Sequence, residues 1–266
     1  MTQRPYEDPY CYPGTVVLRN KLFIQDGVKL AEAEADITLP TMADLETKRI
    51  RGNYDLQHLR AFHKRIFGPI YRWAGELRTV EISKGIPFAA TRAIPGYAED
   101  IFGKLARNDF LRGRDQETFL EGFTDLFGEV NALHPFREGN GRTQRGFLGQ
   151  LARDAGHRVD WSELDPVRNR AVSAQSLVGN NEPLRDMLAE IVSPLPGKSQ
   201  SRASNKQPVR STQLAATGMQ PAARVNKDRQ TRPVGEENKA AGSRGSAIGQ
   251  APPSSTRLPR HGIEAD

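Results

Sequence analysis

A chain of 266 residues with a formal charge of +6 and a single cysteine, Cys11, holds no internal disulfide and no cysteine-rich metal cluster. The charge is unevenly placed: residues 197–266 carry twelve Lys and Arg against five Asp and Glu, which leaves 26 against 27 for the remainder. The basic excess therefore belongs to the C-terminal stretch, and a basic nucleic-acid-binding domain is disfavoured.

The opening MTQRPYEDPYCYPG has no apolar run of signal-peptide length. Nowhere does the chain approach the roughly 20 apolar residues of a membrane span. A cytoplasmic protein without a membrane partner is expected, with export by a route that reads no N-terminal signal left open. Residues 1–49 are expected as a helical lead-in, residues 50–195 as a mainly helical core, and residues 196–266 as a disordered basic tail. That tail lacks Phe, Trp and Tyr from 197 onward. It has too little apolar surface to offset the entropy of ordering it.

Within the core, NYDLQHLRAFHKRIFGPIYRWAG places Leu56, Leu59, Phe62 and Ile66 at helical spacing, with Asn53 as the expected cap. GELRTVEISKGIPFAAT breaks this period with β-branched residues around Lys84-Gly85 and is expected to form a small hairpin. Helices are expected over 97–111 and 166–177, and again over 183–192. ETFLEGFTDLFGEVNALH repeats apolar residues at Phe119, Leu120, Phe123, Leu126, Phe127, Val130 and Leu133, which predicts a half-buried helix running into His134. A further helix is expected from about Gly141 through Ala155, with Phe147, Leu148 and Leu151 inward and Gly156 as its stop.

HPFREGNGRTQR, residues 134–145, lies between those last two helices. The first N–H groups of a helix have no intrahelical partner, and Gly139-Asn140-Gly141 would let an anion approach them closely. Arg142 and Arg145, three apart, share a face on which two guanidinium groups could hold a polyphosphate. A carboxylate, Glu138, beside such a site makes sense as a ligand to Mg²⁺ bridging phosphate oxygens. His134 is the group able to accept a proton near neutral pH. Together these residues point to phosphoryl or nucleotidyl transfer to a hydroxyl.

The same twelve residues resemble, at every defining position, the HPF-x-[D/E]-GNGR-x-x-R signature of the Fic family of protein AMP-transferases. The resemblance extends over roughly residues 50–192, and YEDPYCYPGTVVLRNKL is similar to the lead-in of bacterial members. It implies a mainly helical Fic core with a hairpin flap, in which His134 deprotonates a Ser, Thr or Tyr hydroxyl on a target protein. The oxygen then attacks the α-phosphate of ATP, leaving AMP on the target and releasing pyrophosphate. Glu138 would hold Mg²⁺, and Gly139, Asn140 and Gly141 would cradle the phosphates. Arg142 and Arg145 would grip the β and γ phosphates. Phe136 is expected in the core and Arg137 facing solvent. Lys84 and Gly85, at the tip of the flap, would lie near the nucleotide or a target strand added alongside. Targets in bacterial relatives include type II topoisomerase subunits and GTPases.

Many such enzymes carry an inhibitory helix with the pattern [S/T]-x-x-x-E-[G/N], whose glutamate pairs with the second arginine of the signature. No segment here fits: TFLEG at 118–122 is one residue short. Either the chain is unrestrained or a small antitoxin supplies the glutamate to Arg145, and such an antitoxin is the expected partner. Two alternatives stay open: a phosphotransferase like the related Doc proteins, which depart from GNGR at the turn, and a non-enzymatic binding module acting through the basic tail.

Overall fold

The computed structural model describes residues 8–196; the expected disordered tail lies outside them. Seven α-helices, three short 3₁₀ turns and two small antiparallel ladders are the regular elements of the described residues. The helix α5 (Asn140–Ala155) is the centre of the assembly, packed by α1 (Gly27–Thr47), α2 (Leu56–Phe67) and α4 (Gln116–Leu133). Every residue from Gly146 to Ala152 is buried, as befits a helix covered all round. A Cβ on Gly146 would meet Phe62 at 3.2 Å and Leu45 at 3.3 Å, so the missing side chain lets three helices converge.

Phe62 and Phe102 each meet the Phe147 ring edge to face near this centre, both at a centroid distance of 5.7 Å. The sequence periods of α4 and α5 are realised: Phe119, Phe123, Leu133, Phe147, Leu148 and Leu151 are all fully buried. As expected, Gly156 ends α5 in the left-handed region (φ 93°), where its N–H caps Ala152 O and Arg153 O.

Several details differ from expectation. The cap of α2 is Asp55, whose carboxylate accepts from His58 N–H, and not Asn53. The helix expected over 97–111 begins earlier, at Ile94 with Pro95 in its first turn. It ends at Arg107 (α3, Ile94–Arg107) because Asp109, Phe110 and Leu111 all have positive φ. The last two helices are α6 (Pro166–Ser176) and α7 (Glu182–Ile191). Val192 leaves α7 to start a strand, Val192–Pro194, that pairs with His157–Val159 in a ladder the sequence did not announce.

The expected hairpin is present but short. β1 (Ser83–Lys84) pairs with β2 (Ile86–Pro87) around Gly85, and Thr79 and Val80 lie outside the ladder. Residues before 50 belong to the same core: α1 contributes Leu30 and Leu45 to it and sends Glu34 toward α5.

Candidate active site

A cavity of about 310 Å³ is walled by the flap residues Glu81 to Lys84 and Phe88 and by His134, Arg137, Glu138, Asn140 and Gly141, with Asp8 at its side. A larger cleft of about 490 Å³ lies between α3 and α4, but none of residues 134–145 lines it. Volume alone therefore does not locate the chemistry.

His134 is the C-cap of α4 and adopts the left-handed region (φ 39°), an unusual conformation for a residue with a Cβ. Its Nδ1 lies 3.1 Å from Asn131 O, an atom that only accepts, so Nδ1 carries the proton and Nε2 is left as the acceptor. Phe88 stacks on the ring at 3.7 Å, 7° from parallel. Burial, and after it the charge of Lys84, push the His134 pKa down from 6.5 to about 3. The imidazole is thus neutral across the physiological range, with Nε2 unprotonated.

The flap is pinned to the motif by Arg78, a residue without any sequence signal. Its side chain is fully buried. It donates from Nε to His134 O (2.9 Å), from Nη1 to Val80 O (3.0 Å) and from Nη2 to Ala89 O. Backbone bonds Arg78 N–H to Pro135 O and Ala89 N–H to Ala132 O complete the hinge. Lys84 and Gly85 sit exposed at the flap tip, Lys84 on the cavity wall.

The turn itself is built from motif residues bonding each other. Asn140 Oδ1 accepts from Phe136 N–H (2.9 Å) while Asn140 Nδ2 donates to Phe136 O (2.8 Å). Its side chain thus braces the loop, and only its backbone N–H is left to meet a phosphate. Gly139 has φ 82°, and a Cβ there would overlap the Phe67 ring at 2.2 Å, so no other residue fits. The first bond of the helix is Thr143 N–H to Gly139 O. The N–H groups of Asn140, Gly141 and Arg142 therefore precede the ladder and stay available for an anion.

Glu138 is exposed, and its Oε1 accepts from Gly139 N–H at 2.9 Å. Among the described residues no group of three or more His, Cys, Asp and Glu is arranged to hold a metal. One open carboxylate beside an anion seat suits Mg²⁺, which takes one or two carboxylates and completes its shell from phosphate oxygens and water.

The two arginines differ. Arg142 is engaged by Glu34 Oε2 (2.5 Å) and Thr38 Oγ1 (3.1 Å), and lies 4.7 Å over the Phe67 ring. Glu34 also accepts from the Tyr71 hydroxyl. Arg145 has no ion-pair or hydrogen-bond partner among the described residues, and burial beside Arg142 lowers its pKa. Arg137, expected to face solvent, instead directs Nε and Nη2 to Asp8 Oδ2, both at 2.8 Å. That pair ties the N-terminal segment to the cavity wall, because Asp8 offers a carboxylate where the variable motif position projects.

The Fic/DOC family pattern matches residues 53–152. The chain is 42% identical over 183 residues to the protein adenylyltransferase VbhT of Bartonella schoenbuchensis, covering 67% of this chain and 38% of that protein. It thus spans well under half of that relative. It is 41% identical over 182 residues to the probable protein adenylyltransferase y4lH of Sinorhizobium fredii, covering 67% of this chain and 92% of that one. Its fold is similar to the crystal structure of the BepC protein of Bartonella tribocorum with bound AMPPNP, with a TM-score of 0.65 at 28% identity over 70% of this chain and 96% of that one. These likenesses lead to one statement: the chain belongs to the Fic/DOC family.

Proposed function

We propose that this chain transfers AMP from ATP to a Ser, Thr or Tyr hydroxyl of a target protein. The observation that carries the reading is His134, whose Nε2 is free while its Nδ1 proton is given to Asn131 O, on the wall of a cavity that also opens onto the start of α5. Nε2 accepts the hydroxyl proton as the oxygen forms a bond to the α-phosphorus. The bond from that phosphorus to the bridging oxygen breaks, and pyrophosphate leaves. The proton on His134 is then lost to water, which restores the neutral base.

The N–H groups of Asn140, Gly141 and Arg142 and the guanidinium of Arg145 seat the phosphates, and Arg142 adds its charge as far as Glu34 leaves it free. Glu138 would hold Mg²⁺, which when bound neutralises phosphate charge. Lys84 and Gly85, at the tip of the short ladder, place β1 and β2 where an extended segment of the target can align. The unpartnered Arg145 supports a second protein as regulator, a small antitoxin whose glutamate would compete with the γ phosphate there. The likeness to VbhT and y4lH, both named as adenylyltransferases, supports the same reaction class.

Incubation with a lysate and ATP labelled at the α or the γ phosphate tests the reading. The α label is expected on protein with the wild type and not with His134→Ala. Transfer of the γ label instead would establish the phosphotransferase.

A further inference from the structure

His63, in the middle of α2, is fully buried and outside the signature, yet it touches the turn at two points. Its ring stacks on Phe136 at 3.9 Å, 17° from parallel, with Phe67 (4.9 Å) also stacked against it. Its nitrogens have fixed roles. Gly75 N–H donates to Nδ1 at 2.7 Å, so Nδ1 is unprotonated and Nε2 carries the hydrogen. Nε2–H then donates to Glu138 O at 3.0 Å. Burial pushes the pKa of His63 down to about 4, in keeping with a neutral ring that has one donor and one acceptor.

We propose that His63 is a positioning residue for nucleotide binding: its Nε2–H holds the Glu138–Gly139 peptide in the one orientation that keeps the phosphate seat free of a carbonyl. In a trans peptide the C=O and the N–H point in opposite directions. With Glu138 O held inward by His63, Gly139 N–H faces the other way, where it holds Glu138 Oε1 at 2.9 Å. Glycine at 139 offers little resistance to rotation of this peptide. Without the donor, the carbonyl can turn toward the anion seat, where its lone pairs repel phosphate, and the Glu138 carboxylate loses its anchor. Nothing else bonds Glu138 O among the described residues. The role rests on the nucleotide-binding part of the proposed function.

Two substitutions separate positioning from packing, because they keep different nitrogens. His63→Asn presents an oxygen near the Nδ1 position and satisfies Gly75 N–H but not Glu138 O. His63→Gln presents an amide near Nε2 and satisfies Glu138 O but leaves Gly75 N–H buried without a partner. Thermal unfolding, calorimetric titration with Mg²⁺ and ATP, and hydrogen exchange at Gly139 and Asn140 without nucleotide are measured on the full chain. Positioning predicts opposite orders. Asn is the more stable variant but binds ATP about tenfold more weakly than wild type and exchanges faster at Gly139. Gln is the less stable one but stays within about threefold of wild-type affinity.

Affinity and exchange that follow thermal stability in both variants would overturn the proposal, as would an Asn variant with wild-type affinity. Should both variants fail to fold, the wild-type ¹⁵N spectrum decides. The His63 Nε2–H signal is expected to shift on adding Mg²⁺ and ATP, and an unmoved signal overturns the role. If the wild type binds no ATP, the proposed function fails, and exchange at Gly139 in the two variants still decides the role of His63. If ATP binds but no α label transfers, only the reaction class fails.

Discussion

The two walls of the cavity are built on opposite principles. The turn between α4 and α5 is fixed from several sides: by the Asn140–Phe136 bracket, the Phe67 ring under Gly139 and the bond from His63. The flap opposite is anchored at its base by Arg78 and Phe88, while its ladder has two residue pairs and an exposed tip. A reacting phosphate demands placement within fractions of an ångström, which a braced turn supplies. A protein segment demands open backbone groups, and a short free edge supplies those. Under the proposed function, one side of this site serves precision and the other contact.

Removing the base tests the first side most harshly. His134→Ala is expected to lower α-label transfer by about 10³-fold while ATP affinity, measured by calorimetry, stays within a fewfold of wild type. Arg78→Ala tests the anchor of the second side. Three carbonyls lose their buried donor, so stability should fall by about 3 kcal/mol in urea unfolding. If the folded variant is studied at low temperature, labelling of the target should fall more than ATP affinity does.

Acid should act on the turn through its two histidines. His63 and His134 have pKa values of about 4 and about 3 in the fold, against 6.5 for the free side chain. The unfolded chain therefore takes up protons first as pH falls. Stability that is fully present above pH 6.5 is lost progressively from there toward pH 4, by up to about 1.4 kcal/mol per unit for each buried histidine. Thermal unfolding across that range should show the loss, and His63→Gln should flatten its slope.

Smaller effects sharpen the contrast between the arginines. Glu34→Gln removes the negative charge beside Arg142 and should raise ATP affinity about fivefold, near 1 kcal/mol by calorimetry; weaker binding would make Glu34 an aligner of Arg142 and not its competitor. Lys84→Ala should raise the His134 pKa, because its cation opposes protonation there, and an NMR titration of the ring would show the direction.

What the sequence revealed follows from range. α4 and α5 were legible because their apolar period is unbroken, and the signature because its chemistry lies within twelve residues. The helix α1, within the expected helical lead-in, hid its role at the site: two of its four buried residues, Glu34 and Thr38, are polar, and Pro40 lies within it. Polar burial there makes sense only once Arg142 is placed against it. Arg78 and His63 were equally silent, since each acts on backbone atoms at least 56 positions away, at His134 and Glu138. The ladder joining His157–Val159 to Val192–Pro194 was invisible for the same reason, being three residues long on each side. Asn53 and Asp55 are both fit to cap a helix, and only the register of α2 chose between them.

The pairing of Asp8 with Arg137 and of Glu34 with Arg142 has a practical side. The stretch that sequence comparison marks as the family's, residues 53–152, stops short of both acids and of α6 and α7. Anyone trimming this protein to that stretch for an assay or an inhibitor screen would cut away part of the cavity's own wall, and would be measuring a different pocket.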